Sequence, residues 1–110
     1  MNEQKTNLTA SNVSVLIPAF NEGEYIADVV MGALLSVSRV LVVDDGSADR
    51  TVPIAEEAGA EVICHQDNRG KGAALRTGFE AVLADGSEAI VVLDGDGQHD
   101  PAELPVFIKC

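Results

Sequence analysis

Two runs of the chain are apolar at every position, Val40-Leu41-Val42-Val43 and Ile90-Val91-Val92-Leu93, and each ends abruptly in carboxylates. A strand sends successive side chains to opposite faces, so a run with no polar position needs cover on both. The segments between such runs supply that cover. From Glu22 to Leu35, Tyr25, Ile26, Val29, Val30, Ala33 and Leu34 recur at helical spacing. From Lys71 to Ala84, Ala74, Leu75, Phe79, Val82 and Leu83 do the same, and Asp85-Gly86 closes the segment.

The remaining elements complete an alternation. Val13-Ser14-Val15-Leu16-Ile17 is a first strand, expected to stop at Pro18. A helix is predicted from Thr51 to Ala58, with Thr51 as its cap, Pro53 in its first turn and Gly59 at its end. Glu61-Val62-Ile63-Cys64 is a third strand and Ala89 to Leu93 a fourth. Asp94 to Pro101 is a polar loop, and Ala102 to Ile108 is expected to begin another helix. The order β-α-β-α-β-α-β predicts an α/β fold, a Rossmann-like open parallel sheet with helices on both faces and right-handed crossovers. In such sheets ligands bind at the carboxyl edge of the strands. Three polar loops fall there: Pro18 to Glu22, Asp44 to Ser47, and Asp94 to Asp100.

Composition narrows the partners. The 110 residues carry a net charge of -11, and the apolar fraction of 46% includes few aromatics, so one small domain with an aliphatic core is expected. The acidic balance excludes nucleic acid as a main partner, because phosphate backbones need Lys/Arg patches. It suits recruitment of Mg2+ or Mn2+ to meet phosphates, and solubility alone explains it equally well. Cys64 and Cys110 lack metal-ligand spacing; Cys64 is expected in the core, and a reducing cytoplasm is the expected compartment. Residues 1–12 read as a polar leader without a signal-peptide core. No stretch approaches the roughly 18–20 apolar residues of a membrane span, which leaves a membrane-borne substrate open.

Four constellations carry chemistry. In Asp94-Gly95-Asp96-Gly97-Gln98 the two carboxylates lie two apart and share a face if the chain stays extended. Gly95 and Gly97 let a ligand come close, and two carboxylates with the Gln98 amide oxygen suit a hard cation. The same residues also read as an acidic glycine-rich turn. In Asp44-Asp45-Gly46-Ser47 a carboxylate could accept hydrogen bonds from a base or ribose, or Asp45 or Ser47 could cap the next helix. In Pro18-Ala19-Phe20-Asn21-Glu22, Phe20 could stack on a base and Glu22 bond a ribose; equally, Asn21 could cap a helix with Phe20 as its staple. In Asn68-Arg69-Gly70-Lys71-Gly72, Arg69 and Lys71 at a helix start are candidate diphosphate partners, or a solvated basic pair. The spacing is not that of a P-loop. His65 and His99 have no zinc partners; His65 reads as structural, and His99 as structural or loop-orienting.

Taken together, Val13 to Glu22, Val42 to Thr51, Asn68 to Ala74 and Val92 to Pro101 resemble the family 2 glycosyltransferases of the GT-A fold. The resemblance covers about Val13 to Ile108 and is strongest to the dolichol- or polyprenyl-phosphate mannosyl/glucosyl synthase-like branch. It implies that Pro18, Phe20, Glu22, Val43 and Asp45 line a nucleotide pocket, with Lys71, Asp94, Gly95 and Asp96 also at the nucleotide sugar. It implies a metal site of Asp94 and Asp96 completed by Gln98, holding Mg2+ or Mn2+. Phe20 stands where a Tyr is frequent, and Gly95 where an Ala is frequent. The implied donor is a UDP- or GDP-sugar, and the implied acceptor a membrane lipid phosphate such as a polyprenyl phosphate. The implied location is cytoplasmic, peripheral at the inner membrane face. Family members carry a further acceptor-binding half, so residues 13–110 are expected to be the donor half, truncated and with its catalytic base unidentified. An exposed sheet edge there would favour homo-oligomers.

Three other readings stay open. A receiver-type phosphoacceptor domain shares the acidic strand ends. A dehalogenase-like phosphatase shares the Asp94-Gly95-Asp96 loop, but that loop normally comes near the start of a chain with essential residues after it, and only 14 residues follow Asp96, which nearly excludes it. A fragment that binds nucleotide sugars without catalysis is the third.

Overall fold

The computed structural model describes residues 12–96 together with the backbone of residues 106–108. Five strands and three helices follow in order: β1 (Val13–Ala19), α1 (Ile26–Leu34), β2 (Arg39–Asp44), α2 (Thr51–Ala58), β3 (Glu61–Cys64), α3 (Lys71–Ala84), β4 (Ala89–Val92) and β5 (Val106–Ile108). The sheet order is β3-β2-β1-β4-β5. The first four strands are parallel, with Leu16 opposite Leu41 on one side and Val92 on the other. β5 runs antiparallel to β4.

The apolar runs are buried on both faces, as their composition requires. Val15, Ile17, Val40 and Val42 pack with Ile26, Val30 and Ala33 of α1 and Ala55 of α2. Leu16, Leu41, Val43, Ile90 and Val92 face the other way and pack with Ala74 and Val82 of α3. The helices divide so because of the strand order. β1 to β2 to β3 proceeds in one direction, whereas the step from β3 to β4 returns past β1. With right-handed crossovers, reversing direction moves the connecting helix to the opposite face.

Several local expectations are corrected. Pro18 does not end β1, which continues to Ala19 with Pro18 opposite Val43. In a parallel pair a residue turns its N–H and C=O toward the same neighbour. The Leu16 carbonyl accepts the Leu93 N–H on the β4 side, so Pro18, two residues on, lacks its N–H where that ladder has already ended. The first helix starts at Ile26, not Glu22; residues 22–25 form a turn in which the Glu22 carbonyl accepts the N–H groups of Tyr25 and Ile26. Thr51 is the first residue of α2 rather than its cap, and its N–H and hydroxyl both bond the Asp49 carboxylate. Gly59 does end α2, in the left-handed conformation.

Cys64 is exposed, because β3 is the sheet's edge strand. Burial raises its thiol above the usual range, and Asp44 and Glu56 add to that. On α3, Gly78 lies on the buried face, whereas Leu83 is exposed. Residues 106–108 form a strand rather than a helix. Pro105 disfavours helix before it, and Val-Phe-Ile suits pairing on the open edge of β4. Residues 1–11 and 97–105 lie outside the described residues, among them the expected leader, Gly97, Gln98, His99, Asp100 and Pro101.

Gly78 sets the distance between α3 and the sheet. A β-carbon there would land on the side chain of Leu16, which is fully buried. Gly78→Ala is therefore expected to destabilise by about 1–3 kcal/mol through overpacking, against the helix propensity that favours Ala. In a Leu16→Val background, which shortens the opposing side chain, the same substitution should cost distinctly less. Urea denaturation of the four proteins checks this.

Candidate functional site

The reversal of strand order leaves the carboxyl ends of β1 and β4 diverging side by side, the position where open α/β sheets bind ligands. An open cleft of about 460 Å3 lies there. Pro18, Ala19, Phe20 and Glu22 line it from β1 and its loop, and Asp45 from the end of β2. Asn68, Gly70, Lys71 and Ala74 line it from the α3 entrance, and Asp94, Gly95 and Asp96 from the end of β4. All three polar loops expected at this edge converge on it, joined by a fourth.

The loops after β1 and β2 are held together by hydrogen bonds. Asn21 adopts a left-handed backbone, which Asn tolerates well. Its N–H donates to Ser47 Oγ at 2.8 Å, and its Oδ1 accepts the Ala48 N–H at 2.8 Å. The Glu22 N–H donates to Thr51 Oγ1 at 2.9 Å and the Gly23 N–H to Asp49 Oδ2 at 3.1 Å. Asp44 in turn accepts the N–H and hydroxyl of Ser47. Asn21 and Ser47 thus join two loops rather than capping helices. Phe20 is 46% exposed at the cleft rim and staples no buried helix start.

Asp45 ties the second loop to the α3 entrance. Its Oδ1 accepts the Arg69 N–H at 2.9 Å, and its Oδ2 accepts the Gly70 N–H at 2.7 Å. His65 Nδ1 lies 2.8 Å from Oδ1, and His65 Nε2 lies 2.9 Å from Thr77 Oγ1 on α3. The Asn68 amide donates to the Asp45 carbonyl. Gly46 makes the approach possible: its φ is 82°, and an added β-carbon would sit 2.8 Å from the Asp67 backbone. Burial pushes the Asp45 carboxyl up, but the bonds from His65, Arg69 and Gly70 outweigh it and hold the group below its ordinary value.

The acidic side of the cleft differs. Lys71 Nζ lies 3.0 Å from Asp94 Oδ1, both groups being substantially exposed. Burial raises the Glu22 carboxyl, and the charges of Asp96, Asp49 and Asp94 raise it further. Gly95 packs against Glu22 and Ala19, where a β-carbon would lie 3.1 Å from Glu22 Cγ. Glu22 and the Asp94–Asp96 loop are therefore packed neighbours whose negative charges repel. Among the described residues no group of three or more His, Cys, Asp or Glu is arranged to hold a cation by itself. An open pair of carboxylates still suits a hard divalent cation whose other ligands are phosphate oxygens.

Of the expected nucleotide residues, Pro18, Phe20, Glu22, Asp45, Lys71, Asp94, Gly95 and Asp96 all line the cleft. Val43 does not: its side chain is fully buried in the core cluster beneath α3. Gln98 lies outside the described residues. Residue reading alone missed Asn21, Ser47, Asp49, Thr51 and Thr77 as loop ties, since their partners are distant in sequence. A carboxyl depressed on folding contributes stability that is complete above its ordinary value and is lost as pH falls through the folded value. The ordinary Asp value is 3.8, so the stability gap between wild type and Asp45→Asn should be full at neutral pH and shrink below that value. Urea titrations at pH values on both sides of it check this.

The glycosyl transferase family 2 model matches residues 14–109. Glycosyltransferase AglJ of Haloferax volcanii is 38% identical over 96 residues, which are 86% of this chain and 31% of that protein. An undecaprenyl-phosphate 4-deoxy-4-formamido-L-arabinose transferase of Pectobacterium carotovorum is 30% identical over 110 residues, with 89% and 33% covered. The crystal structure of glucosyl-3-phosphoglycerate synthase from Mycobacterium tuberculosis, in complex with Mn2+, UDP and glucosyl-3-phosphoglycerate, superposes with a TM-score of 0.64 at 29% identity. The match covers 83% of this chain and 34% of that one. The chain spans about a third of the length of these relatives. The family model spans nearly the whole chain, which belongs to glycosyl transferase family 2 and has the GT-A fold.

Proposed function

We propose that the cleft is the donor site of a glycosyltransferase and holds the nucleoside diphosphate of an activated sugar, UDP- or GDP-linked. One observation carries this reading: a pair of carboxylates, a lysine at a helix N-terminus and an exposed aromatic ring meet in one cleft at the sheet's reversal point. Phe20 offers a ring face at the rim for a base, and Glu22 an acceptor for ribose hydroxyls. Lys71 and the N-terminus of α3 meet the diphosphate. Asp94 and Asp96 would hold Mg2+ or Mn2+, and Gln98, assigned from the sequence, would complete the set. When bound, the cation supplies Lewis-acid neutralisation of the leaving diphosphate. Asp45 serves chiefly to shape the cleft, since His65, Arg69 and Gly70 already occupy its oxygens.

The transferase names among the relatives support sugar transfer to an acceptor, and the undecaprenyl-phosphate transferase supports a polyprenyl phosphate in that role. With such an acceptor the protein would work peripherally at the cytoplasmic membrane face. Among the described residues no helix is long and apolar enough to cross a membrane. A receiver-type domain is disfavoured by the sheet, whose order β3-β2-β1-β4 differs from the 2-1-3-4-5 order of that fold.

UDP or GDP should bind at least about tenfold more tightly with Mn2+ than with chelator. Asp96→Ala should remove the Mn2+-dependent part. Calorimetry that finds equal affinity with and without metal, for both nucleotides, would overturn the donor-site reading.

A further inference from the structure

We infer that His65, backed by Thr77, is a positioning residue of the donor site, acting through Asp45 to set the shape of the loop that presents Lys71. The inference rests on the donor-site reading above and adds a residue pair outside the cleft lining. His65 follows β3 directly, and its N–H donates to the Asp44 carbonyl at 2.8 Å, which fixes its backbone. Its side chain is 6% exposed, and both ring nitrogens have partners. A carboxylate only accepts, so Nδ1 carries a hydrogen and donates to Asp45. In the neutral ring Nε2 then accepts from the Thr77 hydroxyl, so Asp45 fixes the tautomer and Thr77 satisfies and holds the other side of the ring.

The consequence runs from α3 to the cleft. Thr77 stands on the second turn of α3 and holds the ring, and the ring holds Asp45 Oδ1. The two Asp45 oxygens then take the N–H groups of Arg69 and Gly70, immediately before Lys71. Gly70, the residue before α3, has φ 99° and no side-chain cap, so the Asp45 carboxylate, just past β2, anchors the segment that leads into the helix. Without the imidazole the carboxylate keeps its two backbone bonds but loses the contact that fixes its rotamer. The entrance to α3 is then held less firmly relative to Asp94 and Asp96. The effect falls on nucleotide binding through the geometry of the loop that presents Lys71.

The test pairs a local reading with a binding one. Amide exchange followed by NMR reports the Arg69 and Gly70 N–H groups without any ligand. Calorimetry with UDP and with GDP, each with Mn2+, reports the site. His65→Leu is expected to speed exchange at these two amides relative to the β1–β2 ladder and to raise the nucleotide Kd about tenfold. His65→Asn, whose amide nitrogen stands where Nδ1 stood but which cannot reach Thr77, should recover part of both. His65→Gln, which keeps the Thr77 side of the ring but not Nδ1, should not. A purely structural histidine would lower stability without this asymmetry between Asn and Gln. Should His65→Leu fail to fold, His65→Gln and Thr77→Val decide. Unchanged protection at Arg69 and Gly70, or unchanged nucleotide affinity, in both of those variants overturns the inference. A wild-type protein that binds neither nucleotide fails the donor-site reading instead, and the inference falls with it.

Discussion

The order of strands in the sheet is the constraint from which the rest follows. β1 lies in the middle, and the chain builds outward from it first through β2 to β3, then back across to β4. Because crossovers are right-handed, that return puts α3 on the face opposite α1 and α2. β1, β2 and β4 therefore need apolar side chains at successive positions, and the two core clusters interleave along the same strands. The return also separates the chain paths leaving β1 and β4, which opens the cleft. Fold and site share one cause.

Around the cleft a second kind of packing takes over, made of satisfied polar groups. Asp44, Asp45, Thr51 and His65 are buried, and each has hydrogen-bond partners in a different loop or element. A buried polar group left unpaired is costly, so such networks hold one arrangement or lose much of their stability. The residues from Asp44 to Thr51 that look like a binding motif are largely spent on this task. They bind the loop after β1 on one side and the α3 entrance on the other. Lys71 and Asp94, paired with each other, and the half-buried Glu22 carboxyl face the cleft instead.

Much of this was legible in the sequence, for physical reasons that differ by element. The apolar runs could be buried only between two layers, and α2, β3 and α3 fall at the residues that spacing and end signals indicate. The convergence of acidic loops followed from the alternation of elements, and eight of the nine expected nucleotide residues line the cleft. Val43, named only through the family resemblance, is buried against α3 and does not line the cleft. Cys64 was misread because edge position depends on strand order, which local pattern does not encode. Asn21 and Thr51 look like caps, and only the folded chain shows that Asn21 bonds a loop 26 residues away. His65 carries no motif at all; its importance appears only when Asp45 and Thr77 are seen on either side of it.

Pro18 has a consequence of its own. Two adjacent parallel strands tend to zip along their full length, each rung positioning the next. Between β1 and β4 the last rung is the Leu93 N–H on the Leu16 carbonyl. The next would require an N–H from Pro18, which has none. On its other side, where β2 lies, β1 runs on to Ala19 unhindered. Pro18 thus acts as a one-sided zipper stop. The mouth of the cleft is kept from sealing by a missing hydrogen, without a bulky wedge that a ligand would have to displace.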